Sequence, residues 1–213
     1  MIFALDTYFN NIHSRYDARG NPGDWIAVGC SHTAGYGVNP DEIYINLLTQ
    51  PVRNLALGVG NAGICRRNAQ LWVEQNGQPG LVIAQWPNAM RRTTWHENTG
   101  SMVTVQHNDG ILTTMIKAGD NNLWVEWLDH VISLNQFCRA CNTPIINILL
   151  ETLAPEYFAV LNQHHITVYD DKKQPGQSWM FDSAGSDGQH HSARCHQLWA
   201  DRLQGIVNEV TTP

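Results

Sequence analysis

The sequence predicts an α/β fold, a three-layer α/β/α sandwich around a doubly wound, mainly parallel five-stranded sheet. The first observation is a set of five short apolar runs, each four to seven residues long and several rich in Ile and Val. These runs do not alternate polar with apolar residues, which is typical of parallel strands buried on both faces. The second observation is that stretches with helical spacing separate the runs, the pattern of a doubly wound sheet. The runs are residues 25–28, 52–57, 81–85, 144–150 and 166–169.

One domain is expected over residues 1–213. A chain of 213 residues, 43% of them hydrophobic, is long enough to bury one sizeable core. Its first part is polar with scattered aromatic side chains and ends in the sequence GNPGD, a strong turn signal. Residues 1–24 are therefore interpreted as an N-terminal arm or a short helix packed on the domain.

Four stretches are predicted to be helices. Residues 41–48 follow Pro40, and proline is favoured at a helix start because the missing N–H has no intrahelical partner there. The other three stretches carry apolar residues at helical spacing, and they are residues 61–75, 121–140 and 192–210. Folds of this class bind ligands at the carboxyl ends of their strands, so residues that directly follow a strand are the candidates for a site.

Residues 86–120 do not follow this alternation. They are polar, contain Trp, Asn, Thr and His, and show no clear periodicity. Long loops without secondary structure of their own are commonly functional. This segment is interpreted as an insertion beside the site, such as a lid or a loop that contacts substrate.

The composition disfavours several classes of protein. A formal net charge of −6 argues against a nucleic-acid partner, which requires a basic surface. No apolar run approaches the roughly 18 residues of a membrane span, and the N-terminal sequence lacks the basic segment and cleavage site of a signal peptide. Five cysteines, an odd number, predict reduced thiols. Cytoplasmic synthesis is expected, and a virion component or a protein released by lysis would share this pattern.

Two short motifs near opposite ends of the chain carry the chemistry. The sequence GCSHTAGYG, residues 29–37, follows the first predicted strand and displays Ser31 on a glycine-flanked turn. The sequence DGQH places Asp187 and His190 three residues apart. A serine on a tight turn, joined by a carboxylate and an imidazole from far along the chain, is what nucleophilic acyl transfer requires. The motifs together predict a serine hydrolase.

These motifs resemble the first and last sequence blocks of the GDSL/SGNH-type hydrolases, a family of esterases, lipases and carbohydrate deacetylases. Cys30 occupies the position of the family's aspartate, and the order of the blocks agrees. The resemblance implies a flavodoxin-like sheet, Ser31 as nucleophile, His190 as its base and Asp187 as the group that orients His190. A neighbouring imidazole, His191, is the alternative base; otherwise it is a surface or helix-capping residue.

The resemblance also implies three donors to the oxyanion of the tetrahedral intermediate, each worth about 3 kcal/mol. The first is the Ser31 N–H. The second comes from a glycine in NLALGVGN, residues 54–61, where Gly58 is preferred and Gly60 is the alternative. The third is the side chain of Asn88, although the sequence QWPN lacks the glycine and the aspartate that flank this asparagine in the family.

Eight tryptophans suggest contact with a sugar ring, although core packing explains each one equally well. Trp86 and Trp95 flank Asn88 and are the two predicted to contact substrate. The expected substrate is a small ester or an O-acyl group, such as O-acetyl, on a carbohydrate.

No metal or organic cofactor is expected. The pair Cys138 and Cys141 lacks the further ligands of a structural zinc site and is interpreted as core packing. Two alternatives to the serine hydrolase stay open. One is a metal-dependent hydrolase that uses some of the ten histidines, and the other is a non-catalytic binding or structural domain on the same scaffold.

Overall fold

The structure is a computed structural model, and it describes residues 19–58, 60–89, 91–96, 101–105, 122–149, 153–170, 185–188 and 190–211. The predicted N-terminal arm therefore lies mostly outside the described residues. Its last part, residues 19–24, forms a turn before the first strand. No helix among the described residues is both long enough and apolar enough to cross a membrane.

Five parallel strands form the main sheet, which confirms the predicted fold class. The seven strands of the described chain are β1 (Trp25–Val28), β2 (Val52–Asn54), β3 (Leu81–Trp86), β4 (Arg92–His96), β5 (Ser101–Val105), β6 (Ile145–Leu149) and β7 (Val168–Asp170). The main sheet has the order β2-β1-β3-β6-β7, and every neighbouring pair is parallel. After β2 the chain crosses to the other side of β1. This reversal creates the switch point beside β1 at which such sheets bind ligands.

Helices cover both faces of the sheet, as a three-layer sandwich requires. They are α1 (Ser31–Ala34), α2 (Ala62–Asn76), α3 (Asn122–Ala140), α4 (Pro155–Gln163) and α5 (Ala193–Thr211), with short 3-10 turns at Pro40–Glu42 and Tyr44–Leu47. On one face Ile26, Val82 and Ala84 pack with α2, α3 and α4. On the other face Ala27 and Ile83 pack with α5 and the 3-10 turns. Successive strand residues point to opposite faces of the sheet. Because helices bury both faces, the residues on each face are apolar, and the runs do not alternate polar with apolar residues.

The helix predicted at residues 41–48 is wrong. The segment forms the two 3-10 turns instead, and Ile43 between them has extended backbone (φ −69°, ψ 129°). The side chains at positions 43 to 45 are all buried, whereas three consecutive residues of an α-helix point in different directions. Burial of all three against the sheet therefore overrides the helix signal at Pro40.

Two other boundaries differ from the expectation. The run at residues 52–57 pairs as a strand only as far as Asn54, and beyond it Leu55 and Leu57 still donate backbone hydrogen bonds to Ala27 and Gly29. The helix α4 was not among the predicted elements. It begins at Pro155, in the favoured first position.

The segment interpreted as an aperiodic insertion contains regular structure. Strands β4 and β5 pair in antiparallel register, from Arg92 opposite Val105 to His96 opposite Ser101. The expectation that residues 86–120 lack secondary structure is therefore wrong over these strands. Residues 97–100 and 106–120 lie outside the described residues, so a lid in this region stays a prediction.

Candidate active site

The serine turn, residues 29–37, begins directly after β1 at the carboxyl edge of the sheet. Ser31 is the first residue of the single-turn helix α1 and is 4% exposed. A side chain at Gly29 would lie 2.3 Å from Thr33 Oγ1, so the tight turn requires glycine there. Gly35 ends α1 with left-handed backbone (φ 81°), a conformation that glycine adopts without strain. The local sequence thus sets the position of the serine.

Asp187 and His190 form a hydrogen-bonded pair in the histidine loop, which comprises residues 185–188, 190 and 191. Asp187 Oδ2 lies 2.5 Å from His190 Nδ1, and Asp187 Oδ1 accepts the His190 backbone N–H at 2.9 Å. A carboxylate on Nδ1 holds the proton on that nitrogen and leaves Nε2 available as a base. The pair has the internal geometry of the orienting half of a catalytic triad.

The histidine loop is attached to the serine turn. The Ser186 backbone N–H and hydroxyl both donate to the carbonyl oxygen of Gly37, at 2.8 and 3.0 Å. A side chain at Gly37 would lie 3.0 Å from Asp187 Oδ1 and 3.1 Å from His190 Cβ. The closeness of this packing shows why position 37 is glycine.

The ring of His190 lies beside the serine turn. Its centroid is 5.2 Å from that of His32, the residue after Ser31, and 5.5 Å from that of Tyr36. Folding therefore brings Asp187 and His190 to the turn that carries Ser31. The two motifs that the sequence analysis paired are neighbours in space.

Two backbone N–H groups lie on the segments that follow β1 and β2 at this edge of the sheet. Among the described residues, the N–H groups of Ser31 and Gly58 have no hydrogen-bond acceptor. The Gly60 N–H instead donates to the Leu57 carbonyl at 2.8 Å. A side chain at Gly60 would lie 2.4 Å from the Gly29 carbonyl oxygen. Gly58 thus keeps an available N–H, whereas Gly60 permits close packing on the serine turn.

Asn88 lies directly after β3, on the same edge of the sheet as Ser31. Its carbonyl accepts the Arg91 N–H at 3.1 Å, and the neighbouring Pro87 carbonyl accepts the Trp127 indole N–H at 2.8 Å. These bonds anchor the segment after β3. A role for the Asn88 side chain as an oxyanion donor stays a prediction.

The prediction that Trp86 contacts substrate is wrong. Trp86 is 1% exposed, and its indole N–H donates to Asn147 Oδ1 at 3.0 Å in the core. As the last residue of a strand covered on both faces, it has no surface to offer a ligand. The side chain of Trp95 lies outside the described residues, so its contact with substrate stays a prediction.

His32, which has no predicted role, lies in a cluster of imidazoles. Its ring lies 4.4 Å from that of His191, between centroids. Burial, followed by the proximity of His191 and His190, lowers the pKa of His32 to about 3, so this ring is neutral at pH 7. His196 is buried as well, at 2% exposed. The position of His32 directly after Ser31 is the one sequence feature that could have placed it in the candidate site.

No group of three or more His, Cys, Asp or Glu side chains in the described part of the chain is placed to hold a metal ion. Cys138 lies on α3 and is buried in the core, and burial raises the pKa of its thiol to about 12. This environment agrees with the interpretation of Cys138 as a packing residue.

A cleft of about 270 Å³ adjoins the serine turn. Tyr36 forms part of its wall and is 38% exposed. Among the described residues that line the cleft, none has a charged side chain: they are Ala34, Gly35, Tyr36, Gly37, Val38, Asn54 and Ala56. The cleft is therefore suited to a neutral group.

Two solved structures share this fold. One is a psychrotrophic esterase, EstA, from Pseudoalteromonas sp. (TM-score 0.54, 14% identity, 87% of this chain and 97% of that chain covered). The other is a member of the lipolytic G-D-S-L family from Veillonella parvula (TM-score 0.52, 14% identity, 86% and 97% covered). No protein-family model and no curated protein matches the sequence. The chain thus has the fold of GDSL hydrolases.

Proposed function

We propose that this protein is a serine hydrolase of the SGNH type that cleaves carboxylic esters through an acyl-enzyme on Ser31. The observation that carries the proposal is the Asp187–His190 pair, held by the Gly37 carbonyl against the turn that bears the serine. A carboxylate–imidazole pair beside a turn-borne hydroxyl is an arrangement that activates a serine.

In the first half-reaction the Ser31 oxygen attacks the ester carbonyl carbon while His190 Nε2 takes the hydroxyl proton. The Asp187 carboxylate stabilises the resulting imidazolium and stays unprotonated itself. The N–H groups of Ser31 and Gly58, with the Asn88 amide, hold the oxyanion. Collapse of the intermediate breaks the bond to the alcohol oxygen, which leaves with the proton from His190.

The second half-reaction releases the acid. Water attacks the acyl-enzyme carbonyl and gives a proton to His190, and the second tetrahedral intermediate then collapses. The bond to the Ser31 oxygen breaks, and His190 returns the proton to that oxygen. The carboxylic acid leaves, and its proton passes to solvent at neutral pH. No other reactant is needed besides the ester and water.

The proposed substrate carries a short acyl group, such as acetyl, on a carbohydrate or another small alcohol. The uncharged cleft beside the serine turn favours a neutral ester over an ionic one. The exposed ring of Tyr36 offers an apolar surface on which a sugar ring can stack. One structural neighbour is described as an esterase and the other as lipolytic, which supports ester chemistry.

The test replaces the nucleophile. Ser31→Ala should abolish hydrolysis of p-nitrophenyl acetate and prevent covalent labelling by a fluorophosphonate probe. A phosphonate probe suits this fold, since the neighbouring esterase is described as inhibited by monoethylphosphonate. His190→Ala should also abolish labelling, while Ser192→Ala, a serine outside the proposed chemistry, should keep it. Unchanged hydrolysis by Ser31→Ala would remove this serine from the mechanism.

A non-catalytic binding domain on the same scaffold is the second candidate. It is favoured by the segment around Asn88, which lacks the family's adjacent glycine and aspartate. This alternative predicts no labelling of the wild-type protein, together with saturable binding of an uncharged ligand in the cleft.

A further inference from the structure

Tyr44 contacts the serine turn from the interior of the protein. It is 1% exposed, and its hydroxyl lies 2.9 Å from the hydroxyl of Thr33, a fully buried residue of α1 two positions after Ser31. The Thr33 hydroxyl donates to Gln85 Oε1 on β3. Because that bond uses the only hydroxyl proton of Thr33, the Tyr44 hydroxyl must donate to Thr33 Oγ1. The serine turn is thereby connected to the segment that carries Tyr44.

The same tyrosine contacts the helix that follows the histidine loop. Its backbone N–H donates to His196 Nδ1 at 3.2 Å, and the two rings stack at 5.9 Å with 20° between their planes. His196 lies in the first turn of α5, directly after the loop that bears His190. Burial lowers the pKa of His196 to about 4, so the ring is neutral at pH 7 and carries one proton. Because Nδ1 accepts the Tyr44 N–H, that proton is on Nε2.

We propose that Tyr44 is a positioning residue that fixes the distance between the Ser31 hydroxyl and the His190 imidazole. The inference rests on the proposed function. Ser31 and His190 lie on segments from opposite ends of the chain, and proton transfer between them requires a separation held within hydrogen-bond reach. The Gly37 carbonyl ties the two segments at the surface, and Tyr44 ties them in the interior.

A purely structural role for Tyr44 would need the ring but not the hydroxyl. Tyr44→Phe keeps the ring, its packing on His196 and the backbone N–H, and it removes only the bond to Thr33. We expect kcat for p-nitrophenyl acetate to fall about tenfold, the effect of a small displacement of the nucleophile, with KM little changed. The rate of fluorophosphonate labelling should fall by the same factor.

A matched control breaks a different connection between the Tyr44 segment and α5. Thr49 donates from its backbone and its hydroxyl to Gln204 Oε1, at 2.9 and 3.0 Å, on the exposed side. Gln204→Ala removes this connection without touching the serine turn. Its kcat and labelling rate should stay within about twofold of the wild-type values.

The second connection is tested through His196. Glutamine at this position offers a side-chain oxygen to the Tyr44 N–H, whereas leucine offers none. We expect His196→Leu to lower kcat about tenfold and His196→Gln to restore most of that loss. If Tyr44→Phe fails to fold, as judged from urea unfolding, the two His196 variants test the positioning role instead.

The outcomes separate the inference from the function on which it rests. If the wild-type protein reacts with the fluorophosphonate and folded Tyr44→Phe reacts equally fast, the positioning role is refuted while the hydrolase proposal stands. Equal kcat values for His196→Leu and wild type would refute it in the same way. If the wild-type protein neither hydrolyses the ester nor reacts with the probe, both proposals fail.

Discussion

Acidification below pH 6.5 should destabilise this protein, because two histidines are held in the neutral form by burial. The pKa of His32 is lowered from 6.5 to about 3 and that of His196 from 6.5 to about 4, in both cases chiefly by burial. The unfolded chain binds a proton on each below pH 6.5, whereas the native protein does not. The stability that the two neutral rings contribute is therefore fully present above pH 6.5, and it is lost as the pH falls toward 4 and 3.

The magnitude follows from these values. Between about pH 7.5 and pH 5, each of the two histidines should cost about 2 kcal/mol of unfolding free energy. The pair should thus cost about 4 kcal/mol, a large part of the 5–15 kcal/mol typical of a domain. The neighbouring charges mostly act in the same direction: His190 and His191 lower both pKa values and Arg91 lowers that of His32, whereas Glu42 raises that of His196.

Urea unfolding at several pH values from about 7.5 to 5 measures this dependence. The variants His32→Gln and His196→Gln should each lower the pH-dependent loss of stability by about 2 kcal/mol, because each removes one titrating group. His165→Asn is the control, since His165 is exposed and has the left-handed backbone (φ 54°) that asparagine tolerates. It should keep the wild-type slope. Wild-type slopes in both glutamine variants would refute the assignment of the pH dependence to buried imidazoles.

Three substitutions test other parts of the structure. Gly58→Ala would place Cβ 2.5 Å from the Tyr36 ring. Either the backbone donor or this ring, which lies beside His190, must then shift, and kcat for p-nitrophenyl acetate should fall by about tenfold or more; unchanged kcat would contradict this. Gly205→Ala on α5 meets no atom within 4 Å and should raise the unfolding free energy by about 0.5–1 kcal/mol at unchanged kcat. Asn147→Ala leaves the buried Trp86 N–H unpaired and should lower the unfolding free energy in urea by about 2–4 kcal/mol; a loss under about 1 kcal/mol would argue against this network.

Local sequence patterns predicted the five strands of the main sheet but not β4 and β5, because each strand of the main sheet lies in a short apolar run that needs no information from elsewhere in the chain. Residues 25–28 illustrate this, since the predicted and observed bounds of β1 coincide. The segment at residues 41–48 shows the limit of the same reasoning. Its conformation is set by the burial of three consecutive side chains against the sheet, and no local pattern carries that constraint.

Some residues of the candidate site could likewise be predicted from local sequence, whereas others depend on tertiary contacts. Ser31, Asp187 and His190 could be selected from their residue types and order, and Gly58 from its place after the second strand. Trp86 was misassigned because position beside a candidate residue does not reveal which way a side chain points. Its burial at 1% and its bond to Asn147 depend on a partner 61 residues away.

The sequence by itself determined the alternation of strands and helices and singled out the serine, aspartate and histidine of the proposed site, since these follow from side-chain chemistry and short-range spacing. The tertiary structure alone decided that the histidine loop rests on the Gly37 carbonyl, that Tyr44 joins the serine turn to α5, and that His32 and His196 are buried as neutral rings. The physical reason is that hydrogen bonding and desolvation depend on distances between residues remote in the chain, and these distances exist only after folding.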